Sequence, residues 1–233
     1  MARKKKALQD TARKVVTHTN PRSIVSEQFR TLRTNINFSS PDADIRSMVI
    51  TSAAPGEGKS TVSANLAVVF AQEGKKVLMV DGDMRKPTTH YTFRMGNAQG
   101  LSSVLTRQAT VEETIHATTI ENLDLLTCGP IPPNPAELLA SKSMDALIEH
   151  LKGMYDLIIF DAPPVLSVTD GQILANKCEG AILVVNSGET EKEMAVRAKE
   201  AITASNSRLI GAVLNNFKLP KDSYYYQYYG DEK

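Results

Sequence analysis

Ser47-Met48-Val49-Ile50-Thr51-Ser52-Ala53-Ala54-Pro55-Gly56-Glu57-Gly58-Lys59-Ser60-Thr61 joins a short apolar run to a glycine-rich segment. Val62 to Gln72, rich in Ala and Val, follows and stops before Gly74. The apolar run reads as a buried strand, and the later stretch as a helix closed by glycine. Strand, glycine-rich loop ending in Gly-Lys-Ser, then helix is the context that gives a P-loop its meaning. Small residues let successive backbone N–H groups converge on phosphate oxygens, and the helix N-terminus adds free donors and the positive end of a dipole. Ala54, Pro55, Gly56, Glu57, Gly58, Lys59, Ser60 and Thr61 are therefore the expected triphosphate-binding residues, with Lys59 on the β- and γ-phosphates and the Ser60 hydroxyl on Mg²⁺. The first motif position is Ala53 where the pattern has Gly.

Downstream, the strand Lys76 to Val80 ends in Asp81, with Asp83 and Arg85 close behind. A second apolar run, Leu157 to Phe160, ends in Asp161. In a parallel α/β sheet ligands bind at the carboxyl ends of strands, which places these acids beside the expected phosphates. An apolar strand ending in Asp is the Walker B arrangement. Further strands are expected at Asn122 to Leu126, Gly180 to Val185 and Arg208 to Asn215. Helices are expected at Gly100 to Arg107, Val111 to Ala117, Ala136 to Leu151, Val168 to Lys177 and Glu189 to Ser205. The alternation predicts an α/β P-loop NTPase fold with a mostly parallel central sheet and helices on both faces.

The chain has 233 residues, 42% of them hydrophobic, enough for one α/β core. A formal net charge of +1 gives no global field toward nucleic acid. Residues 1–22 concentrate Arg3, Lys4, Lys5, Lys6, Arg13, Lys14 and Arg22 against Asp10, which reads as a flexible basic arm able to touch an anionic membrane. Residues 23–37 read as a helix capped by Ser23, with Glu27, Arg30 and Arg33 on one surface. Residues 23–217 are the expected catalytic domain. Residues 218–233 are a tail holding Tyr224, Tyr225, Tyr226, Tyr228 and Tyr229, five of the seven tyrosines. Cys128 and Cys178 are too far apart in sequence for a Cys-x-x-Cys site. With no long apolar run, the expected location is cytoplasmic.

Ala54 to Thr61, Val77 to Arg85, Leu157 to Pro163, the Glu27-x-x-Arg30-x-x-Arg33 helix and the terminal tyrosines together resemble the bacterial tyrosine kinases, or BY-kinases, in their free cytoplasmic form of capsule and exopolysaccharide assembly. The resemblance runs from about Ser23 to Tyr229. It implies ATP and Mg²⁺ as cofactors and transfer of the γ-phosphoryl group to tyrosine, including the tail cluster in trans. It implies Lys59, Asp81, Asp83 and Asp161 as catalytic residues and Ser60, Asp83 and Asp161 around the metal. Asp81 is the expected group to orient or deprotonate the tyrosine hydroxyl, although sequence leaves the division of labour between Asp81 and Asp83 open. It implies ring-like homo-oligomers through Glu27, Arg30 and Arg33. It also implies protein tyrosine substrates and a membrane-embedded adaptor in trans, through which the protein is peripherally membrane-associated. The rival class is the ParA- and MinD-type positioning ATPase. Its loop carries a signature Lys where this chain has Ala54.

Overall fold

The computed structural model describes residues 12–40 and 44–218. The basic residues Arg3 to Lys6 and the five tail tyrosines lie outside them. Within them, seven strands form one sheet in the order β3-β4-β2-β5-β1-β6-β7. They are β1 (Ser47–Ser52), β2 (Val77–Asp81), β3 (Ile115–Ala117), β4 (Leu123–Leu126), β5 (Leu157–Asp161), β6 (Gly180–Asn186) and β7 (Leu209–Asn215). All neighbours run parallel except β3 against β4. Every residue of β1, β2 and β5 is buried, as expected of near-continuous apolar strands covered on both faces. One core layer holds Val49, Leu78, Ile158 and Phe160, and the other holds Met48, Ile50, Met79 and Ile159.

The topology decides where chemistry can occur. The chain leaves β1, crosses over, and returns as β2 with β5 later inserted between them. The carboxyl ends of β1, β2 and β5 therefore open side by side at a switch in strand order. Register places Asp81 directly beside Asp161, and Asp161 beside Ile50.

Three expectations need correction. Val111 to Ala117 is not one helix. A single turn, Val111–Thr114, gives way to β3, which pairs antiparallel with β4. The backbone groups on the free edge of β4 are satisfied that way. Ala136 to Leu151 is broken at Ser141 (φ −67°, ψ 156°), whose hydroxyl accepts the Met144 N–H, so Pro135–Ala140 and Lys142–Lys152 are separate helices. A serine that bonds backbone ends one helix and caps the next.

The flexible arm expected over residues 1–22 is the third. Residues 13–22 are not a loose tether. Helix α1 (Val16–Thr19) lies against α3 (Lys59–Gln72), with α2 (Ile24–Phe38) following it. Thr17 is fully buried. Asn65 of α3 accepts the Thr17 N–H and hydroxyl, both at 3.0 Å, and donates to Lys14 O and Thr61 O, both at 2.9 Å. Asn65→Ala strands these groups, so urea unfolding should show a loss of about 2–4 kcal/mol. A loss below about 0.5 kcal/mol would mean the segment is not docked in solution.

Candidate active site

Helix α3 begins at Lys59, earlier than the apolar pattern indicates, so Lys59, Ser60 and Thr61 are its first turn. Their N–H groups precede any intrahelical acceptor and remain available to an anion. Gly58, the cap, sits at φ +94°, and a Cβ there would come within 2.0 Å of Asn215 Nδ2. The left-handed backbone favours glycine, and any side chain would also have to displace the Asn215 amide. Glu57 is buried and folds back on its own loop. Its Oε2 accepts the Ala53 and Ala54 N–H groups at 2.8 and 3.1 Å, and its Oε1 accepts the Thr190 hydroxyl. Asn215 Nδ2 donates to Glu57 O at 2.9 Å. The amides of Ala53 and Ala54 thus serve the loop's own shape, so the N–H of Ala54, expected among the triphosphate-binding groups, is already engaged, whereas the N–H groups at the start of α3 remain available to an anion.

The loop forms one wall of a cavity of about 570 Å³, within the range of small-molecule sites. Lys59, Ser60 and Thr61 line it, together with Asp83 and Arg85. Lys59 Nζ lies 3.2 Å from Asp83 Oδ2, 3.5 Å from Asp161 Oδ1 and 3.3 Å from Ser60 Oγ. Burial alone would lower the Lys59 pKa. The Asp161 and Asp83 carboxylates outweigh it and hold the ammonium charged.

Asp81 and Asp161 are fully buried and stand behind that wall. Asp81 Oδ2 accepts from Thr88 N, Thr89 N and Thr89 Oγ1, at 3.0, 3.0 and 2.7 Å. Burial, then the Asp161 charge, push its carboxyl up to about 7 despite those bonds. Asp161 is likewise pushed up by burial, against the pull of Lys59.

Asp161 Oδ2 is buried with no hydrogen-bond partner among the described residues. A lone pair in that position is suited to a cation or its bound water. Ser60, Asp83 and Asp161 are hard oxygen donors, the type Mg²⁺ takes. Among the described residues no three His, Cys, Asp or Glu side chains cluster as a metal site by themselves.

Several wall residues were not legible in the sequence. Arg13, assigned there to a free arm, lines the cavity and is anchored by its N–H to Thr92 Oγ1 at 3.1 Å. Asn215 and Asn216, at the carboxyl end of β7, also line it. Their place after a parallel strand was the available signal. Glu27, Arg30 and Arg33 sit apart from the cavity, on α2. Arg30 pairs with Glu27 at 2.7 Å, whereas Arg33 donates to Val69 O at 2.9 Å and faces Glu73 at 3.5 Å. Arg33 thus also ties α2 to α3 within one chain.

The AAA domain family matches residues 45–189. Tyrosine-protein kinase YwqD of Bacillus subtilis is 53% identical over 99% of this chain and 97% of its own length. Putative tyrosine-protein kinase CapB of Staphylococcus aureus is 42% identical over the whole of both chains. The crystal structure of the chimerical protein CapA2B2 superposes with a TM-score of 0.85 at 47% identity, covering 89% of this chain and 93% of that one. The septum site-determining protein MinD of Pyrococcus horikoshii, complexed with Mg-ADP, reaches a TM-score of 0.64 at 29% identity over 74% and 70%. The sheet is common ground between these classes, but identity over full length lies with the kinases, and the chain belongs to the bacterial tyrosine kinase family, the BY-kinases.

Proposed function

We propose that this protein-tyrosine kinase binds Mg·ATP in the 570 Å³ cavity and transfers the γ-phosphoryl group to tyrosines of its own tail and of other proteins. The observation that carries the reading is Lys59, held charged between Asp83 and Asp161 where β1, β2 and β5 end together. Phosphoryl transfer asks the protein for positioning and charge, with little covalent help. Helix N–H groups and Lys59 bind and orient the triphosphate. Mg²⁺, when bound, neutralises phosphate charge, and Ser60, Asp83 and Asp161 would hold it. Asp81 is the proposed base. Its carboxyl, set near 7, is matched to accepting a hydroxyl proton at neutral pH.

The acceptors in this reading are Tyr224, Tyr225, Tyr226, Tyr228 and Tyr229, presented by a neighbouring subunit. Glu27, Arg30 and Arg33 would pack against that neighbour, and repeated head-to-tail contacts of this kind close into a ring. Phosphate on several tyrosines adds about −1.5 to −2 charges each, which repels the tails and loosens the ring. The family resemblance further supports a membrane-embedded adaptor in trans, peripheral membrane association through it, and control of capsule or exopolysaccharide synthesis. No helix among the described residues is long and apolar enough to cross a membrane. The alternative, a MinD-like positioning ATPase, is supported by the shared sheet, and Ala54 stands where its signature Lys would be.

Mixing settles the direction of transfer. A Lys59→Met chain with an intact tail, combined with a chain whose five tail tyrosines are Phe, should become phosphotyrosine-labelled by mass spectrometry. An unlabelled Lys59→Met chain would confine transfer to one subunit. Light scattering should show large assemblies for the unphosphorylated protein and small species for Arg30→Ala. Arg30 suits this test because Arg33 also braces α3 within the chain.

A further inference from the structure

Arg85 lines the cavity two residues beyond Asp83, and its side chain keeps 43% of its surface exposed. Its guanidinium is gripped from behind. Nε donates to Asp170 Oδ2 and Nη2 to Asp170 Oδ1, both at 2.9 Å. Asp170 is the first residue of the helix Asp170–Lys177 and is fully buried. Nothing in the spacing of the sequence connects it with a residue 85 positions earlier.

A two-pronged contact fixes the plane of a guanidinium as well as its position, which a lysine could not reproduce. It leaves Nη1 without a hydrogen-bond partner among the described residues. The Arg85 N–H also donates to Asp83 Oδ1 at 3.3 Å, while Lys59 meets Asp83 Oδ2. Asp83 is therefore bonded by the Lys59 ammonium on one oxygen and by the backbone amide of Arg85 on the other, which ties the Arg85 main chain to the Lys59 site. Cohesion alone does not call for a buried acid here. Met84 and Leu174, next to this pair on each segment, already join the same apolar core. Burying a carboxylate is costly unless it is paired, and an apolar pair of similar volume would hold two segments as well.

We infer that Asp170 is a positioning residue for phosphoryl transfer: by holding two guanidinium nitrogens, it aims Nη1 of Arg85 at the phosphoryl group being transferred. In that step the tyrosine oxygen bonds to the γ-phosphorus and the bond from that phosphorus to the β,γ-bridging oxygen breaks. ADP leaves with the electron pair, and the hydroxyl proton passes to a base. Arg85 forms no covalent bond. It donates hydrogen bonds to the equatorial oxygens, over which negative charge is spread in the transition state. Because Asp170 offsets much of its charge, Arg85 contributes orientation more than field. This rests on reading the cavity as the ATP site of the kinase.

The test uses the full chain and reads three quantities: phosphotyrosine formation, ATP consumption, and affinity for a fluorescent ATP analogue. Asp170→Asn and Arg85→Lys should each lower kcat about 100-fold and leave nucleotide Kd within about threefold. Asp170→Glu, which keeps both acceptor oxygens, should recover part of the loss. The Asp170→Asn/Arg85→Lys double variant should be no slower than the slower single variant, because both act through one contact. The inference is overturned if Asp170→Asn retains kcat within about threefold of wild type, if the two losses multiply, or if the loss falls on nucleotide affinity alone. Should Asp170→Asn not fold, Arg85→Lys decides the matter by the same criteria. A wild type that consumes ATP but labels no tyrosine would refute the kinase reading instead, and the effect of Asp170→Asn on ATP consumption would still judge the role of Asp170.

Discussion

Lys59→Met abolishes tyrosine labelling: the expected loss in kcat is at least about 10²–10³-fold, the scale of removing one preorganised charge from a closed site. The effect should be large because Lys59 is the only cation within 3.5 Å of both Asp83 and Asp161 among the described residues. Removing it takes a donor from the triphosphate and also exposes the phosphates to two carboxylates without a counter-charge. Methionine keeps most of the aliphatic stem, so helix α3 and its packing survive. Burial already pushes Asp161 toward protonation, so the variant has a route to relax by taking up a proton. Circular dichroism should therefore show a folded protein, with phosphotyrosine mass spectrometry showing no autonomous labelling. Wild-type labelling by Lys59→Met would overturn the assignment of the phosphate site.

Asp81→Asn is expected to match that loss while changing stability in a pH-dependent way. The neutral amide cannot accept the tyrosine proton, so labelling should fall by about 10²–10⁴-fold, the range of general-base contributions. The folded-state carboxyl sits at about 7 against an ordinary value of 3.8, so folding disfavours the ionised form. The unfolded chain then holds fewer protons than the folded one between about pH 4 and pH 7. Stability contributed by Asp81 is accordingly greatest below that window and declines as pH rises through it. Asparagine does not titrate, so Tm of Asp81→Asn relative to wild type should rise from pH 5 to pH 8. A constant difference would show that Asp81 is ionised throughout. Its role as base would then lose its support, leaving Asp81 as the acceptor that holds Thr88 and Thr89 in place.

The local chemistry of the P-loop was legible in the sequence because it is contiguous. Gly58, Lys59 and Ser60 are neighbours in the chain, and a loop entering a helix gives their N–H groups one destination. Asp81 and Asp161 could be placed at strand ends for a similar reason: an apolar run buried on both faces has to stop where a charge begins. The parallel sheet followed from alternation, and membership of the kinase family followed from several motifs occurring in one order. Helix ends were less legible. Ser141 and Ile115 carry no breaker that outweighs the surrounding periodicity, and a hydroxyl bond in one case and a free sheet edge in the other ended the helices.

Contacts between distant segments belonged to the tertiary structure. The sequence by itself determined that a glycine-rich strand-to-helix loop and two acidic strand ends exist. Only the insertion of β5 between β1 and β2 put Asp161 beside Asp81 and within reach of Lys59. A basic composition made residues 13–22 look like solvated arm, whereas the fit of Thr17 to Asn65 docks them and sets Arg13 on the cavity wall. The pairing of Arg85 with Asp170 has no local signature at all. Charge and helix propensity act over a few residues, but an ion pair across 85 of them is set by where two elements pack.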